Sequence, residues 1–397
     1  MGIIRRSEMS DSLSLVFTGD IGFDRYMDGK WDDPELIAPD VLSFLHGADH
    51  VIANVEGPLV DQDTNKTTEG VVQLMHTMNP KAIGVLERMH ADIWNICNNH
   101  IMDAGEEGIR ATLDQAEKRG VRTLGAGMNL EEASRILELP EAGGIGMIGV
   151  GYQRGCKPAG EGKAGCFNWS DLELIGERIR EIKSRSRWCI VVSHGGEEFT
   201  ALPSPYTRDR YLAYLEMGAD LVVCHHPHVP MNYERVGEKA IFYSLGNFIF
   251  DTDYQRAQYY TERGILLKLT FRENGWDFTP MGLRIDRETD RIVSEELPDI
   301  FMDVPEEEYK LLAPLSAKMM VAAYKRRQIY LDAEGFKNAT EEKWKEHFSD
   351  PKRSGRVPGE ALDFLIICPL AEEAEKGEWK KSELQKVKDY ILGQMEP

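Results

Sequence analysis

The chain has 397 residues, of which 42% are hydrophobic and 9% aromatic, so it can bury a sizeable core and is not expected to be disordered. Its 67 Asp and Glu residues outnumber its 47 Lys and Arg residues, which gives a formal net charge of −20. Such an excess of negative charge repels phosphate backbones and anionic lipids. The composition therefore argues against nucleic-acid binding and against binding to a membrane surface.

Short apolar segments alternate with helical patterns or glycine turns between residues 13 and 271, which predicts a layered α/β fold. The predicted strands are 13–18, 51–54, 93–97, 121–125, 145–150, 189–193, 221–224, 241–244 and 265–271. The predicted helices in this part of the chain are 104–118, 172–183 and 208–217.

From about residue 305 the sequence becomes charge-rich and helix-forming. Helices are predicted at 306–330 and 371–392, with an exposed loop at 350–359 between them. We therefore expect an α/β domain in residues 1–300 and a helical C-terminal extension in residues 301–397. Composition alone assigns this extension a packing or oligomerisation role.

The six cysteines are scattered and form no Cys-x-x-Cys pair, a pattern typical of proteins from a reducing compartment. The first apolar run is too short for a signal peptide. No apolar stretch approaches the roughly 18 residues that a membrane-spanning helix requires. The sequence thus predicts a cytoplasmic protein without a membrane span.

Five of the predicted strands end directly in residue types that bind metals. In layered α/β folds the carboxyl ends of the strands line one edge, where ligands bind. We therefore expect the five segments to deliver their side chains to one site. The segments are Gly19-Asp20, Asn54-Val55-Glu56, Asn98-Asn99-His100, His194-Gly195-Gly196-Glu197 and His225-His226-Pro227-His228.

The residue types in these segments are chemically consistent with one another. Imidazole combined with carboxylate and amide oxygen suits Mn, Zn or Fe, and the absence of thiolates favours a catalytic site over a structural one. There are enough ligands for one or two divalent ions. Two ions that share a bridging carboxylate form the arrangement used to hydrolyse phosphate esters.

These segments resemble the CapA family of poly-γ-glutamate capsule biosynthesis proteins, whose fold is similar to the calcineurin-like metallophosphoesterases. The resemblance implies a layered α/β/β/α sandwich and covers roughly residues 13–271. The resembling stretches are FTGDIGF (17–23), ANVEGPL (53–59), NNHIMDAGEEGI (98–109), VSHGGEEF (192–199), GADLVVCHHPHV (218–229) and YSLGNFIFD (243–251).

The resemblance implies a role for each matching residue. Asn99 binds one ion, and the neighbouring His100 faces the substrate as a general acid or as a ligand. Asp103 either orients His100 or caps the helix that begins at about residue 104. The implied metal ligands are Asp20 as the first aspartate, Glu56 as the bridging carboxylate, Asn99, His194, and His226 with His228 as the terminal pair.

Two positions depart from the metallophosphoesterase pattern. The usual Asp-x-His opening is here Asp20-Ile21-Gly22, so one histidine ligand is missing. In addition, Glu56 stands where those enzymes have the shorter Asp. The number of bound ions, one or two, is therefore left open.

Several residues are candidate substrate contacts. Asn54 belongs to the segment that contains Glu56, and Asn247 in SLGNF resembles a family position near the site, although Asn247 could also be a turn residue. The glycine-rich segment 151–167 carries Lys157 and Lys163 and is either a mobile lid that offers positive charge to an anionic substrate or a plain solvent loop.

The resemblance implies a role in the metabolism of poly-γ-glutamate or a related anionic polymer. The hypothesis that follows is hydrolysis of a phosphate ester or an amide of an anionic substrate by water that a metal activates, with His100 protonating the leaving group. The alternative is a metal-dependent component that binds a polyanion, small or polymeric, or assembles with a partner without turnover.

Overall fold

The computed structural model describes residues 12–61, 75–152, 155–330, 339–340, 342–344 and 382–393. Its strands are β1 Ser12–Ile21, β2 His50–Val55, β3 Ala91–Asn95, β4 Arg122–Leu124, β5 Ala126–Gly127, β6 Leu137–Leu139, β7 Ile145–Gly151, β8 Gly165–Cys166, β9 Trp188–His194, β10 Leu221–His225, β11 Tyr233–Val236, β12 Lys239–Phe242, β13 Asn247–Ile249, β14 Arg263–Arg272, β15 Gly275–Asp286 and β16 Arg291–Glu295. Its α-helices are α1 Pro39–His46, α2 Ile83–Arg88, α3 Gly105–Glu117, α4 Leu130–Ala133, α5 Leu172–Arg185, α6 Pro205–Met217, α7 Asp253–Arg256, α8 Glu306–Tyr330 and α9 Ser382–Gly393.

Most of the strands form two mixed sheets. The first sheet has the order β16-β15-β14-β1-β2-β3-β4, with β13 paired to the end of β1. Strands β1 to β4 run parallel, whereas β14 to β16 are antiparallel. The second sheet has the order β11-β12-β10-β9-β7-β6, with β12, β10, β9 and β7 parallel. The parallel strands therefore form the centre of the second sheet and one half of the first.

Side chains point alternately to the two faces of each strand, and this alternation creates the layers. In β1, Leu13, Leu15 and Phe17 point into a core that also contains residues of β7, β9 and β10, so this core lies between the sheets. Val16 points the other way, into a core shared with α1, α2 and α3. A third core joins the outer face of the second sheet to α5 and α6. The prediction of an α/β/β/α sandwich is confirmed.

Each predicted strand up to residue 271 corresponds to a strand of the structure, and the three predicted helices correspond to α3, α5 and α6. The sequence missed the antiparallel strands β15 and β16, because their exposed positions interrupt the apolar pattern. It also missed α1 and α2, which are only 8 and 6 residues long. Short elements gain their stability from packing, which leaves a weak signal in the sequence.

The C-terminal helices pack onto the sandwich. Helix α8 spans the predicted 306–330, and α9 corresponds to the end of the predicted helix 371–392. Residues 371–381 and the predicted loop 350–359 lie outside the described residues. Tyr309 and Leu312 of α8 share a buried cluster with Ala201 and Leu202, and the Tyr309 hydroxyl donates a 2.8 Å hydrogen bond to the carbonyl oxygen of Pro203. The start of α8 is therefore fixed to the segment that follows β9.

Among the described residues, no helix is both long enough and apolar enough to cross a membrane.

Candidate metal centre

The parallel strands of both sheets end at a common edge, where most of the predicted ligands meet. Asp20 lies near the end of β1, Glu56 directly after β2, and His194 at the end of β9. His226 and His228 follow β10. All five side chains are buried. Because they come from four strands of two sheets, the cluster depends on the correct packing of the whole sandwich.

Glu56 lies at the centre of the cluster. Its Oε1 atom is 3.7 Å from Nε2 of His194 and 3.6 Å from Nε2 of His228. Both carboxylate oxygens are buried, and neither has a hydrogen-bond partner in the part of the chain that the structure describes. A buried carboxylate without donors is costly unless a cation compensates it. The surroundings of Glu56 therefore fit a metal ion.

Two groups of ligand-type side chains share Glu56. One consists of Glu56, His226 and His228, and the other of Asp20, Glu56 and His194. Within each group the ligand atoms lie within 4.8 Å of one another. A carboxylate common to both groups has the position of a bridging ligand in a two-metal site. The residues present could thus hold one or two divalent ions.

Asn247 and Asp20 fix the orientation of His228. The Nδ1 atom of His228 donates a 2.9 Å hydrogen bond to Oδ1 of Asn247 and lies 3.2 Å from Oδ2 of Asp20. An amide oxygen only accepts, so Nδ1 carries the proton and Nε2 is left to bind a cation. The Asn247 side chain is buried and also donates to Gln255 and to the Thr261 carbonyl. It contacts a candidate ligand, whereas the sequence suggested a substrate contact.

Asn99 and Asn54 hold His194 from opposite sides. The Nε2 atom of His194 is 2.8 Å from Oδ1 of Asn99, and its Nδ1 atom is 3.5 Å from Nδ2 of Asn54. Asn54 also donates a 2.8 Å hydrogen bond to Oδ1 of Asp20 and accepts one from Asn95. Because Asn54 is fully buried and engaged in this way, its position suits the support of two ligands. The sequence had suggested that it contacts the substrate.

His226 and His228 both have left-handed backbone conformations, with φ of 100° and 59°. Such conformations cost non-glycine residues about 1–3 kcal/mol each and are concentrated at functional sites. Backbone hydrogen bonds hold the turn in place: Gly195 N–H donates to the His225 carbonyl at 3.0 Å, and Phe199 N–H donates to the Pro227 carbonyl at 2.8 Å. The turn therefore projects two imidazoles that are two residues apart into one site.

Glu198 is a site residue that the sequence did not single out. Its Oε1 atom is 3.9 Å from Nε2 of His226, and the Tyr152 ring lies 4.6 Å from the His226 ring. Its neighbour Glu197, named in the motif, instead accepts hydrogen bonds from Ser204 and Thr207 at the start of α6. Two adjacent acids in a loop could not be told apart without the backbone path.

His100 forms a hydrogen-bonded pair with Asp103. Its Nδ1 atom donates to Oδ2 of Asp103 at 2.6 Å, and the same oxygen accepts the backbone N–H of His76 at 2.8 Å. The N-cap of α3 is Ala104, without a side-chain cap, so Asp103 orients His100 and does not cap this helix. Asp103 is partly buried, and burial raises its pKa to about 6.

A second imidazole lies against His100. The ring of His76 is 4.2 Å from that of His100 in an edge-to-face arrangement, and its Nδ1 atom donates a 2.6 Å hydrogen bond to the buried Asp24. The sequence gave no signal for His76 or Asp24, since both lie outside the stretches that resemble the family. The two rings meet although their residues are 24 positions apart in the chain.

Phe250 occupies the space beside the position of the missing histidine. A Cβ atom added at Gly22 would lie 2.6 Å from two ring carbons of Phe250. The Phe250 ring also lies 4.9 Å from that of His228 and 5.0 Å from that of His76. The departure at Gly22 is therefore compensated sterically, because an aromatic ring fills the place that a side chain at this position would need.

The cluster holds protons that a cation would displace. Burial raises the pKa of Glu56 well above its ordinary value. Burial alone would lower the pKa of His228, but the charges of Glu56 and Asp20 outweigh it and raise that pKa to about 10. Burial lowers the pKa of His226 to about 4 and, with the neighbouring imidazoles, lowers that of His194 well below its ordinary value. His194 and His226 are thus neutral, the form that binds metals.

The glycine-rich segment 151–167 is partly anchored. Within it β8 pairs with β5, and Cys156 is fully buried, whereas Lys157 and Lys163 are exposed. Lys157 lies within electrostatic reach of Asp103. The lid remains a prediction.

The fold and site define a layered α/β protein with a buried cluster of histidines and carboxylates that could hold divalent metal. The sequence model of the family described as "Bacterial capsule synthesis protein PGA_cap" matches residues 14–252. The chain belongs to this family. The match includes all the candidate ligands and ends before α8.

Individual relatives agree with this assignment. The chain is 30% identical to the PGA biosynthesis protein CapA of Bacillus subtilis (strain 168) over 283 residues, which cover 69% of this chain and 72% of that protein. It is 24% identical to the capsule biosynthesis protein CapA of Bacillus anthracis over 286 residues, covering 69% and 68%. A hypothetical protein from Thermus thermophilus aligns over 71% of this chain and 100% of its own, at 14% identity. Its TM-score of 0.41 is too low to support an argument.

Proposed function

We propose that the protein is a divalent-metal-dependent hydrolase of a phosphate ester or an amide in an anionic substrate. The observation that carries the proposal is Glu56, a fully buried carboxylate without hydrogen-bond donors among the described residues, flanked by the imidazoles of His194 and His228. A purely structural carboxylate at this depth would normally have donors.

The proposed ligand set is divided between two positions around Glu56. His226 and His228 serve one position, while Asp20 and His194 serve the other, with Asn99 beside His194. A bound divalent ion would supply a Lewis acid that polarises the scissile group and acidifies water. Asn54 fixes the orientation of Asp20 and His194, and Asn247 fixes that of His228. Hydrogen bonds of this kind to the ligands strongly affect metal affinity.

His100 is proposed to transfer a proton to the leaving group. Its Nδ1–H is committed to Asp103, so Nε2 is the atom available to the substrate. The ring lies within electrostatic reach of His228 and His226, and burial lowers its pKa well below the ordinary value. The protonated form is therefore scarce at neutral pH, and the rate with a poor leaving group should fall as pH rises.

The substrate class is proposed from the family. Two relatives carry the names PGA biosynthesis protein and capsule biosynthesis protein. A substrate connected with poly-γ-glutamate carries one carboxylate per residue, and Lys157 and Lys163 would offer positive charge to it.

The test is hydrolysis by the Mn-loaded protein of a panel of phosphate esters and γ-glutamyl amides. His100→Asn should lower kcat by about 10²–10⁴-fold for poor leaving groups while metal content is retained. His90→Asn serves as the control, because His90 is exposed and packs against His46. Equal kcat values for His100→Asn and wild type would contradict the assigned role.

The second candidate is a metal-dependent component that binds an anionic polymer without turnover. One observation favours it. Gly22 stands where metallophosphoesterases have a further histidine ligand, and the Phe250 ring fills the space that a side chain at position 22 would need. A metal-loaded protein that binds poly-γ-glutamate but cleaves no member of the panel would support this candidate over the hydrolase.

A further inference from the structure

The last two turns of α8 reach the rim of the metal centre. Ala323 shares a buried cluster with Phe199 and Tyr254, and the Tyr330 ring lies 5.4 Å from that of Tyr254. Phe199 in turn stacks on the ring of His228 at 5.8 Å. A single aromatic layer therefore separates this part of α8 from a candidate ligand.

Arg327 lies on the same face of α8. It follows Ala323 by four residues and precedes Tyr330 by three, which are the spacings that place side chains together on a helix. Its strongest electrostatic partner is Glu198, and Tyr152 also contributes. Glu198 is the carboxylate that lies 3.9 Å from Nε2 of His226. The guanidinium group thus lies within electrostatic reach of Glu198, on the His226 side of the metal centre.

The guanidinium group of Arg327 is not fully satisfied. Its Nε atom is buried and has no hydrogen-bond partner among the residues that the structure describes. Burying such a donor without a partner is unfavourable. A planar guanidinium can hold a carboxylate or a phosphate with two parallel hydrogen bonds. The unpartnered donor and the geometry of the group both suit an oxyanion from outside the protein.

An anionic substrate needs such a cation at this site. Asp20, Glu56, Asp24 and Glu198 surround the histidines, so the centre repels anions except where metal ions or other cations offset the charge. A positive side chain at the rim would lower the electrostatic barrier and orient the substrate.

We propose that Arg327 binds an oxyanion of the substrate, carboxylate or phosphate, next to the group that is cleaved at the metal centre. This inference rests on the proposed hydrolase function and deepens it. It also gives the C-terminal extension a direct role, because the family match ends at residue 252 and Arg327 lies beyond it. Glu198 attracts the guanidinium group electrostatically before substrate binds.

The test is calorimetric titration of the Mn-loaded protein with two probes, inorganic phosphate and glutarate. Arg327→Gln should raise the Kd of at least one probe by about 10- to 100-fold, the effect of losing a charge-assisted hydrogen bond. Lys310→Gln is the matched control, since it removes the same charge from an exposed position of α8 where Lys310 pairs with Glu306 and Glu307. This control should leave both Kd values unchanged.

The two probes distinguish the sources of the oxyanion, because the probe whose binding weakens identifies phosphate or carboxylate. Arg327→Lys keeps the charge but not the planar fork, so it should weaken binding several-fold even if the Gln variant does not fold. Unchanged Kd values in Arg327→Gln, or a wild-type protein that binds neither probe, would overturn the inference. Metal content is measured on the same samples, so that the two proposals can fail separately. A wild-type protein that binds no metal would contradict the hydrolase, whereas unchanged Kd values in a metal-loaded Arg327→Gln protein would contradict only the role of Arg327.

Discussion

The substitution Gly22→Ala tests whether Phe250 has taken the space of the missing ligand. The added Cβ atom would lie 2.6 Å from two ring carbons of Phe250, whereas carbon atoms pack at about 3.5–4.0 Å. The ring must therefore move by about 1 Å. It is almost fully buried and lies 4.9 Å from the ring of His228, so it cannot move without disturbing a candidate ligand.

Overpacking of this kind costs about 1–3 kcal/mol, and we expect Gly22→Ala to lower the free energy of unfolding by ~2 kcal/mol. The assay is urea unfolding, with metal affinity measured in parallel. Gly84→Ala is the control: it lies in α2 with no atom within 4 Å of the added Cβ, so it should be neutral or stabilise by about 0.5–1 kcal/mol.

A second substitution locates the effect. Phe250→Leu in the Gly22→Ala background should recover part of the lost stability, because a smaller side chain leaves room for the new methyl group. A Gly22→Ala protein whose free energy of unfolding stays within about 0.5 kcal/mol of wild type, with unchanged metal affinity, would refute the steric reasoning.

The remaining predictions concern the ligand cluster. Asn247→Ala should raise the Kd for metal by about 10- to 100-fold, since His228 loses the acceptor of its Nδ1–H, whereas Asn129→Ala, which removes the cap of α4, should not change it. Metal should bind more tightly as pH rises from about 6 to 8, because the raised pKa of His228, about 10, means that binding displaces a proton. One displaced proton gives up to about tenfold per pH unit, and calorimetry in buffers of different ionisation enthalpy counts the protons released. No proton release would contradict this account of the cluster.

The sequence was sufficient to locate most of the candidate metal centre. Ligand-type residues stood directly after apolar strands, and parallel strands bring their carboxyl ends to one edge. Asp20, Glu56, His194, His226 and His228 therefore came together as expected. The same logic placed Asn54 and Asn247 at the site, but it could not distinguish a residue that touches substrate from one that supports a ligand.

Other site residues depend on contacts between distant segments and left no local signal. His76 and Asp24 form a hydrogen bond although they are 52 positions apart in the chain. Phe250 lies beside Gly22 because it directly follows β13, which pairs with β1 although the two strands are far apart in the sequence. Glu198 stood beside Glu197 in the same motif, and only the backbone path determines which of the two faces His226. Such positions are set by tertiary packing, which a pattern of residue types does not encode.

The same limit applies to the C-terminal extension. Composition predicted helix 306–330 but suggested only a packing or oligomerisation role for it, because the sequence of a charge-rich helix does not indicate which surface the helix packs against. The structure shows that its first half is fixed by Tyr309 and Leu312, while its last turns lie over Phe199 and Tyr254.

Elemental analysis of the purified protein, after incubation with Mn or Zn, tests the central claim most directly. Wild type should retain about one to two divalent ions per chain, as expected for a bridging carboxylate site. Glu56→Gln should retain less than about a tenth of that amount, because the amide neither carries charge nor bridges. Glu238→Gln, which neutralises an exposed acid, should match wild type. A wild-type protein without metal, or a Glu56→Gln protein with a full complement, would contradict the account.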